Sequence, residues 1–179
     1  METNEVTKVE MERWFITKKS DLPFSLENMD HLEAMLHIEQ YYISTKPIVR
    51  IRSSRNVFKN TNEFILCLKS KIADQEKGLS ETEIEITENN FLEIAKHAPG
   101  NVIKKNRFIH MMHDETIHQY LNVEIDDFIS HHPHIGKDEV KIEVEFDYLE
   151  DYNDFIPPVW FGKEVTNQRE YSNSYLSTL

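Results

Sequence analysis

Short runs in which every second residue is apolar recur along this chain, the period that a half-buried strand requires. They cover Lys8 to Ile16, Ile38 to Ile43, Ile48 to Arg52, Glu63 to Lys71, Thr82 to Thr87, Asn101 to His110, Glu115 to Phe128 and Glu139 to Tyr148. Helical spacing is rarer. Ser25 to Leu36 opens on a capping serine and carries Leu26, Met29, Leu32, Ala34 and Leu36. A second helix is predicted from Thr87 or Glu88 to His97, with Phe91, Leu92, Ile94 and Ala95 on it and Pro99-Gly100 ending it. Asp151 to Ile156 reads as a turn of helix, and Asn167-x-x-Glu170 as a capping box before Tyr171, Tyr175 and Leu176. Strands outnumber helices, which predicts an antiparallel, β-rich α+β fold.

The polar face of each run is nearly all charge. Side chains alternate between the faces of a strand. Arg50 and Arg52 therefore oppose Val49 and Ile51, and Lys69 and Lys71 oppose Leu66 and Leu68. Glu81, Glu83 and Glu85 oppose Ile84 and Ile86; Lys105 and Arg107 lie together; Glu124 and Asp126 oppose Val123 and Ile125. Lys141, Glu143 and Glu145 oppose Ile142, Val144 and Phe146, while Lys8, Glu10, Glu12 and Trp14 share a face of the first run. Most strands carry one sign of charge.

An ordinary sheet with its charged face in water would show the same alternation. Solvated faces, however, mix in Thr, Ser and Gln, and like charges two residues apart repel unless an opposite charge stands across from them. If the sheet closes into a barrel with the charges inside, carboxylates and cations converge on one lumen. Paired carboxylates there suit hard cations such as Mg²⁺ or Mn²⁺. Clustered Arg and Lys suit a multiply charged oxyanion, the Arg fork above all phosphate. A metal with a polyphosphate satisfies both sets, and without ligands so many interior charges carry a heavy desolvation cost.

Composition narrows the picture. The chain has 179 residues, a length for one domain spanning 1–179, and a formal charge of −12. Such acidity opposes binding to nucleic acid or an anionic membrane. A single cysteine, Cys67, rules out an intrachain disulfide and a zinc–thiolate cluster. No stretch is long and apolar enough for a membrane helix, and a cytoplasmic monomer or homodimer is expected.

The residues resemble the CYTH-domain, or triphosphate tunnel metalloenzyme, superfamily over nearly the whole chain. Its N-terminal ExExK motif is similar to Glu10-Met11-Glu12-Arg13-Trp14. Ile38-Glu39-Gln40-Tyr41 and Val49-Arg50-Ile51-Arg52 are similar to its QxY and RxR run, followed by Lys69, Glu83-Ile84-Glu85 and Lys105-Asn106-Arg107. Asp126, Glu143-Val144-Glu145-Phe146, the stretch Pro158 to Glu164-Val165-Thr166 and Tyr171-Ser172-Asn173 continue the pattern in order. The resemblance implies an eight-stranded antiparallel β-barrel tunnel with a charged lumen and a few helices packed outside.

It also implies roles. Glu10, Glu12, Glu83, Glu85, Asp126, Glu143 and Glu145 would bind divalent cations or orient water, with Glu10, Glu12, Glu143 and Glu145 nearest the chemistry. Arg50, Arg52, Lys69, Lys105 and Arg107 would bind the triphosphate of a small-molecule substrate. The activity implied is hydrolysis of inorganic tripolyphosphate or a related linear triphosphate. A class IV adenylyl cyclase uses the same charges but needs an adenine pocket, for which the sequence has no signature. A non-catalytic polyphosphate or nucleotide binder is a third reading. It is prompted by two departures that make the lumen more acidic: Trp14 at the lysine position, and Glu81 where members often have a basic residue. Lys8 has the parity to compensate for Trp14.

Other residues read more simply. His131-His132-Pro133-His134 reads as a surface loop, and His110, His113 and His118 as surface residues beside a hairpin turn. Cys67 reads as a strand spectator, Trp160 and Phe161 as outer packing, and Tyr171, Tyr175 and Leu176 as a segment capping one tunnel end, from which Lys163 or Arg169 would reach a ligand.

Overall fold

In the computed structural model the protein is described over residues 5–71 and 79–179, with side chains from 11–70 and 79–179. Among the described residues nine strands make up the sheet: β1 (Glu5–Lys18), β2 (Ala34–Thr45), β3 (Ile48–Asn56), β4 (Thr61–Lys71), β5 (Leu79–Glu85), β6 (Ile103–Asp114), β7 (Gln119–Phe128), β8 (Glu139–Phe146) and the two-residue β9 (Lys163–Glu164). All eight alternating runs of the sequence are strands, most of them longer than their periodic segment. The described residues also form three α-helices: α1 (Glu88–Ala95), α2 (Leu149–Asp154) and α3 (Asn173–Leu176).

The strands are antiparallel and ordered β5-β4-β3-β2-β6-β7-β8-β1-β9, with a further pairing of β5 to β1. β1 links the two ends of this order. Its first half pairs with β5, from Glu5↔Ile84 to Glu10↔Leu79, and its second half with β8, from Met11↔Phe146 to Lys18↔Glu139. The eight long strands thus form a circuit in which β3 stands four strands from β8 in either direction. Closure of this kind removes the unpaired edges that a sheet otherwise exposes.

The largest buried apolar cluster lies outside the circuit. Phe15 from β1, Phe108 from β6, Val123 and Ile125 from β7, and Ile142, Val144 and Phe146 from β8 form one buried cluster with Leu22, Leu32, Phe155 and Phe161. The segments after β1 and after β8 therefore cover this wall. Phe15 is fully buried and meets Phe161 edge to face, with ring centroids 5.0 Å apart. On the far wall α1 brings Phe91 to Tyr41 and Phe64. Thr87 caps α1 by accepting from Asn90 N.

β9 reaches β1 through Gly162, whose φ is +74°. A Cβ there would stand 2.4 Å from the Ile16 carbonyl oxygen, so only glycine fits.

Two predicted elements differ. No α-helix spans Ser25 to Leu36: a 3-10 turn at Met29–His31 leads into β2 at Ala34. Leu32 is buried in the outer cluster instead, so its apolar spacing serves a covering loop. The capping box at Asn167 starts no α-helix either. Asn167 is left-handed (φ 62°), and the helix begins six residues later, where Ser172 accepts from Tyr175 N. Among the described residues no helix is long and apolar enough to cross a membrane.

Candidate functional site

The inward faces of the strands line a cavity of about 310 Å³. Strand parity puts charges there and apolar side chains outside: in β3, Ile51 is fully buried on the outer side while Arg50 and Arg52 line the cavity. β4 adds Lys69, β6 Lys105 and Arg107, and β8 Lys141, Glu143 and Glu145. Glu12 and Trp14 enter from β1, Gln40 and Tyr42 from β2, Glu81 and Glu83 from β5, and Glu124 from β7. Ser172, Asn173 and Ser174, at the start of α3, close one end. Among the described residues six cations and six carboxylates thus face one space, a balance far from the acidity of the whole chain.

The two walls hold their charges differently. On β3, β4 and β5 the ion pairs are long. Arg50 and Lys69 each approach Glu81 Oε1 at 3.4 Å, and Arg52 approaches Glu83 at 3.4 Å. Cys67 Sγ donates to the same Glu81 oxygen at 3.0 Å. Cys67, Glu81 and Glu83 bring possible metal-ligating atoms within 4.8 Å of one another. Burial, reinforced by the hydrogen bond to Glu81, pushes the thiol up to about 11, so it stays protonated and anchors Glu81 instead of offering a thiolate.

On β6, β7 and β8 the pairs are tight. Arg107 binds Asp126 bidentately, Nε to Oδ1 at 2.7 Å and Nη2 to Oδ2 at 2.8 Å, and also engages Glu124 and Glu143. Lys105 pairs with Asp126, and Lys141 Nζ lies 2.5 Å from Glu143 Oε1. Burial lowers the Lys105 ammonium, and the charge of Arg107 lowers it further. Burial pushes the Glu143 carboxyl up, but Lys141, Lys105 and Arg107 outweigh it and hold the group well below its ordinary range. Glu124 goes the other way: burial, then Glu143, Asp126 and Glu145, raise it to about 7 against the pull of Arg107.

Carboxylates also oppose one another directly. Glu12 stands across from Glu145 on the β1–β8 ladder, and Glu124 across from Glu143 on the β7–β8 ladder. Like charges placed so are destabilising unless a cation lies between them, a place that Arg107 fills between Glu124 and Glu143. Several hard oxygen donors on neighbouring strands fit a divalent cation of the Mg²⁺ type.

Of the residues expected at the site, Glu12, Arg50, Arg52, Lys69, Glu83, Lys105, Arg107, Glu143 and Glu145 line the cavity. Asp126 is not part of the lining: it shares the inward face of β7 with Glu124 but is fully buried beneath Lys105 and Arg107, which it holds. Glu85 is exposed and outside the lining. The side chains of Glu10 and Lys8 lie outside the described residues. Glu124 and Lys141 were legible as charges of the right parity but were passed over, because neither stands in the motif pattern. His132 is no surface residue: it is buried against Phe128 and Tyr171. Lys163 and Arg169 lie over Tyr171 and Tyr175 and do not reach the cavity.

No family model matches the chain. The inorganic triphosphatase of Nitrosomonas europaea is 32% identical to it over 117 residues, 64% of this chain and 68% of that protein. The chain belongs to the inorganic triphosphatase family. Solved structures agree with this triphosphatase relationship in fold. The crystal structure of the hypothetical protein NE1496 superposes with a TM-score of 0.58 at 27% identity, covering 95% of this chain and 98% of that one. The crystal structure of the inorganic triphosphatase NE1496 gives a TM-score of 0.57 at 24% identity, covering 95% of each chain. PH1819 protein of Pyrococcus horikoshii shares the fold at a TM-score of 0.52 and 17% identity, over 80% of this chain and 82% of that one. In this triphosphatase-family chain the charged cavity is the candidate active site.

Proposed function

We propose that this protein is a triphosphate tunnel metalloenzyme of the CYTH type, hydrolysing inorganic tripolyphosphate or a related linear triphosphate with Mg²⁺ or Mn²⁺. One observation carries the reading: opposed carboxylates on β1, β7 and β8 face the guanidinium groups of β3 across one cavity. A charge-balanced lumen of this kind takes a polyanion and its countercations together, and neither alone.

In this reading Arg50, Arg52 and Lys69 bind phosphate oxygens. Their 3.4 Å contacts with Glu81 and Glu83 are long enough to yield to a shorter, charge-assisted partner. The Nε atoms of Arg50 and Arg52 are buried without a hydrogen-bond partner, donors that an anion would satisfy. Lys105 and Arg107, fixed by Asp126, hold the chain from the other side. Glu12, Glu124, Glu143 and Glu145 would hold the cation, with Glu83 at the edge of the set. Bound there, the metal neutralises phosphate oxygens and lowers the pKa of a coordinated water. The protein's part is to keep the phosphates in line and to orient the attacking water.

The test is product analysis. The protein is incubated with tripolyphosphate, ATP or thiamine triphosphate, each with Mg²⁺ or Mn²⁺. Orthophosphate is expected, abolished by EDTA and restored by added metal. Cyclic AMP from ATP, or ligand-induced thermal stabilisation without turnover, overturns the reading.

A further inference from the structure

Trp14 stands where the motif that this strand resembles has a lysine, and the structure shows a cation beside it. Lys141 Nζ, from the neighbouring strand β8, lies 3.8 Å from the centroid of the Trp14 ring. Both residues line the cavity, and Lys141 is 1% exposed. In register, Trp14 faces Glu143 and Ile16 faces Lys141, so the lysine reaches diagonally onto the indole.

We propose that Lys141 is a substrate-binding residue of this lumen and that Trp14 is its positioning residue, the indole face holding the ammonium for a phosphate oxygen. This rests on the reading that the cavity takes a triphosphate. An ammonium has three N–H donors. Glu143 Oε1 takes one at 2.5 Å and the indole face takes a second, which leaves the third without a partner among the described residues. The indole Nε1 is itself buried with no hydrogen-bond partner. The pair therefore holds two unmet donors, the arrangement an anionic oxygen satisfies.

Stability alone does not account for the pair. A buried ion pair is worth no more to the fold than well-packed apolar residues of similar volume. The aromatic face does what an ion pair alone cannot. When a cation draws on the Glu143 carboxylate, Lys141 loses charge compensation but keeps its seat on the ring. Glu143 is no barrier to an incoming phosphate, because its second oxygen is engaged by Arg107.

The experiment uses the full chain with Trp160→Phe, which leaves Trp14 as the sole indole of the two. Tripolyphosphate turnover is measured with Mg²⁺, and Trp14 emission is followed during titration with imidotriphosphate and Mg²⁺. Lys141→Met is expected to raise KM about tenfold or more, with a smaller change in kcat, as loss of one charge-assisted hydrogen bond requires. Lys141→Arg recovers part of this. Trp14→Phe, which keeps an aromatic face but loses the indole donor, raises KM less than Trp14→Leu, which resembles Lys141→Met. Imidotriphosphate alters the emission of the parent protein but not of Lys141→Met. An active parent whose KM and emission change are untouched by Lys141→Met overturns the inference. If Lys141→Met does not fold, equal KM values for Trp14→Leu and Trp14→Phe overturn it. A parent that neither turns over tripolyphosphate nor responds to imidotriphosphate overturns the triphosphate reading itself.

Discussion

Cys67 donates to the Glu81 carboxylate at 3.0 Å, on the same oxygen that Arg50 and Lys69 approach from the lumen. The thiol is 1% exposed, and burial holds it protonated, up to about 11. The folded protein is therefore expected to resist Ellman's reagent at pH 8 and to release one equivalent of thiol only in denaturant. Rapid labelling of the native protein would contradict this environment.

Glu143 and Glu145 stand two residues apart with unlike surroundings. Glu145 is exposed at the rim, whereas Glu143 is buried between Lys141 and Arg107. Glu145→Gln is expected to lower kcat on the order of 10²-fold, with a stability change within about 0.5 kcal/mol. Glu143→Gln loses the activity and also about 3 kcal/mol of stability, because buried cations lose their compensation. Hydrolysis rates and urea unfolding of the two variants separate the effects.

Asp126 is a framework residue. Fully buried, it binds both Lys105 and Arg107. Asp126→Asn is expected to cost about 3–5 kcal/mol in urea unfolding, the range for breaking a buried pair from one side. An unchanged midpoint would show that the two cations do not depend on it.

His132 makes stability depend on pH. Burial first, then the nearby Lys141, His134 and His131, lower its imidazole from 6.5 to about 4. The unfolded chain binds this proton at higher pH than the folded one. The contribution is thus complete above about pH 6.5 and is lost as pH falls toward 4. Thermal midpoints of wild type should fall across that window, and His132→Phe should flatten this part of the profile.

Gly162→Ala places a Cβ 2.4 Å from the Ile16 carbonyl at a φ of +74°. A loss of about 1–3 kcal/mol is expected for the strain, seen in the same unfolding experiment.

The strands were legible because a closed sheet with apolar cover outside and charge inside imposes a strict two-residue period, and Ile142-Glu143-Val144-Glu145 obeys it on both faces. Helical spacing was less reliable. Leu26, Met29 and Leu32 sit at helical intervals, but Leu32 fills the cover over β6–β8 from a loop, which a local pattern does not distinguish. At the site, residue types and parity gave the lumen its charges, while pairing depended on register. That Asp126 is buried beneath Lys105 and Arg107, and that Lys141 rests on Trp14, follows from which residues face each other on neighbouring strands. Burial of His132 depends on Tyr171, some forty residues away, and had no local signal.

The shared pairing of β1 orders events during synthesis. Met11–Lys18 finds its neighbours in Glu139–Phe146 and in Lys163–Glu164, more than a hundred residues later. While the ribosome is still making the intervening strands, the leading segment can hydrogen-bond to β5 along its first half alone. Its second half waits as an open edge, and the cylinder is sealed only after nearly the whole polypeptide has emerged.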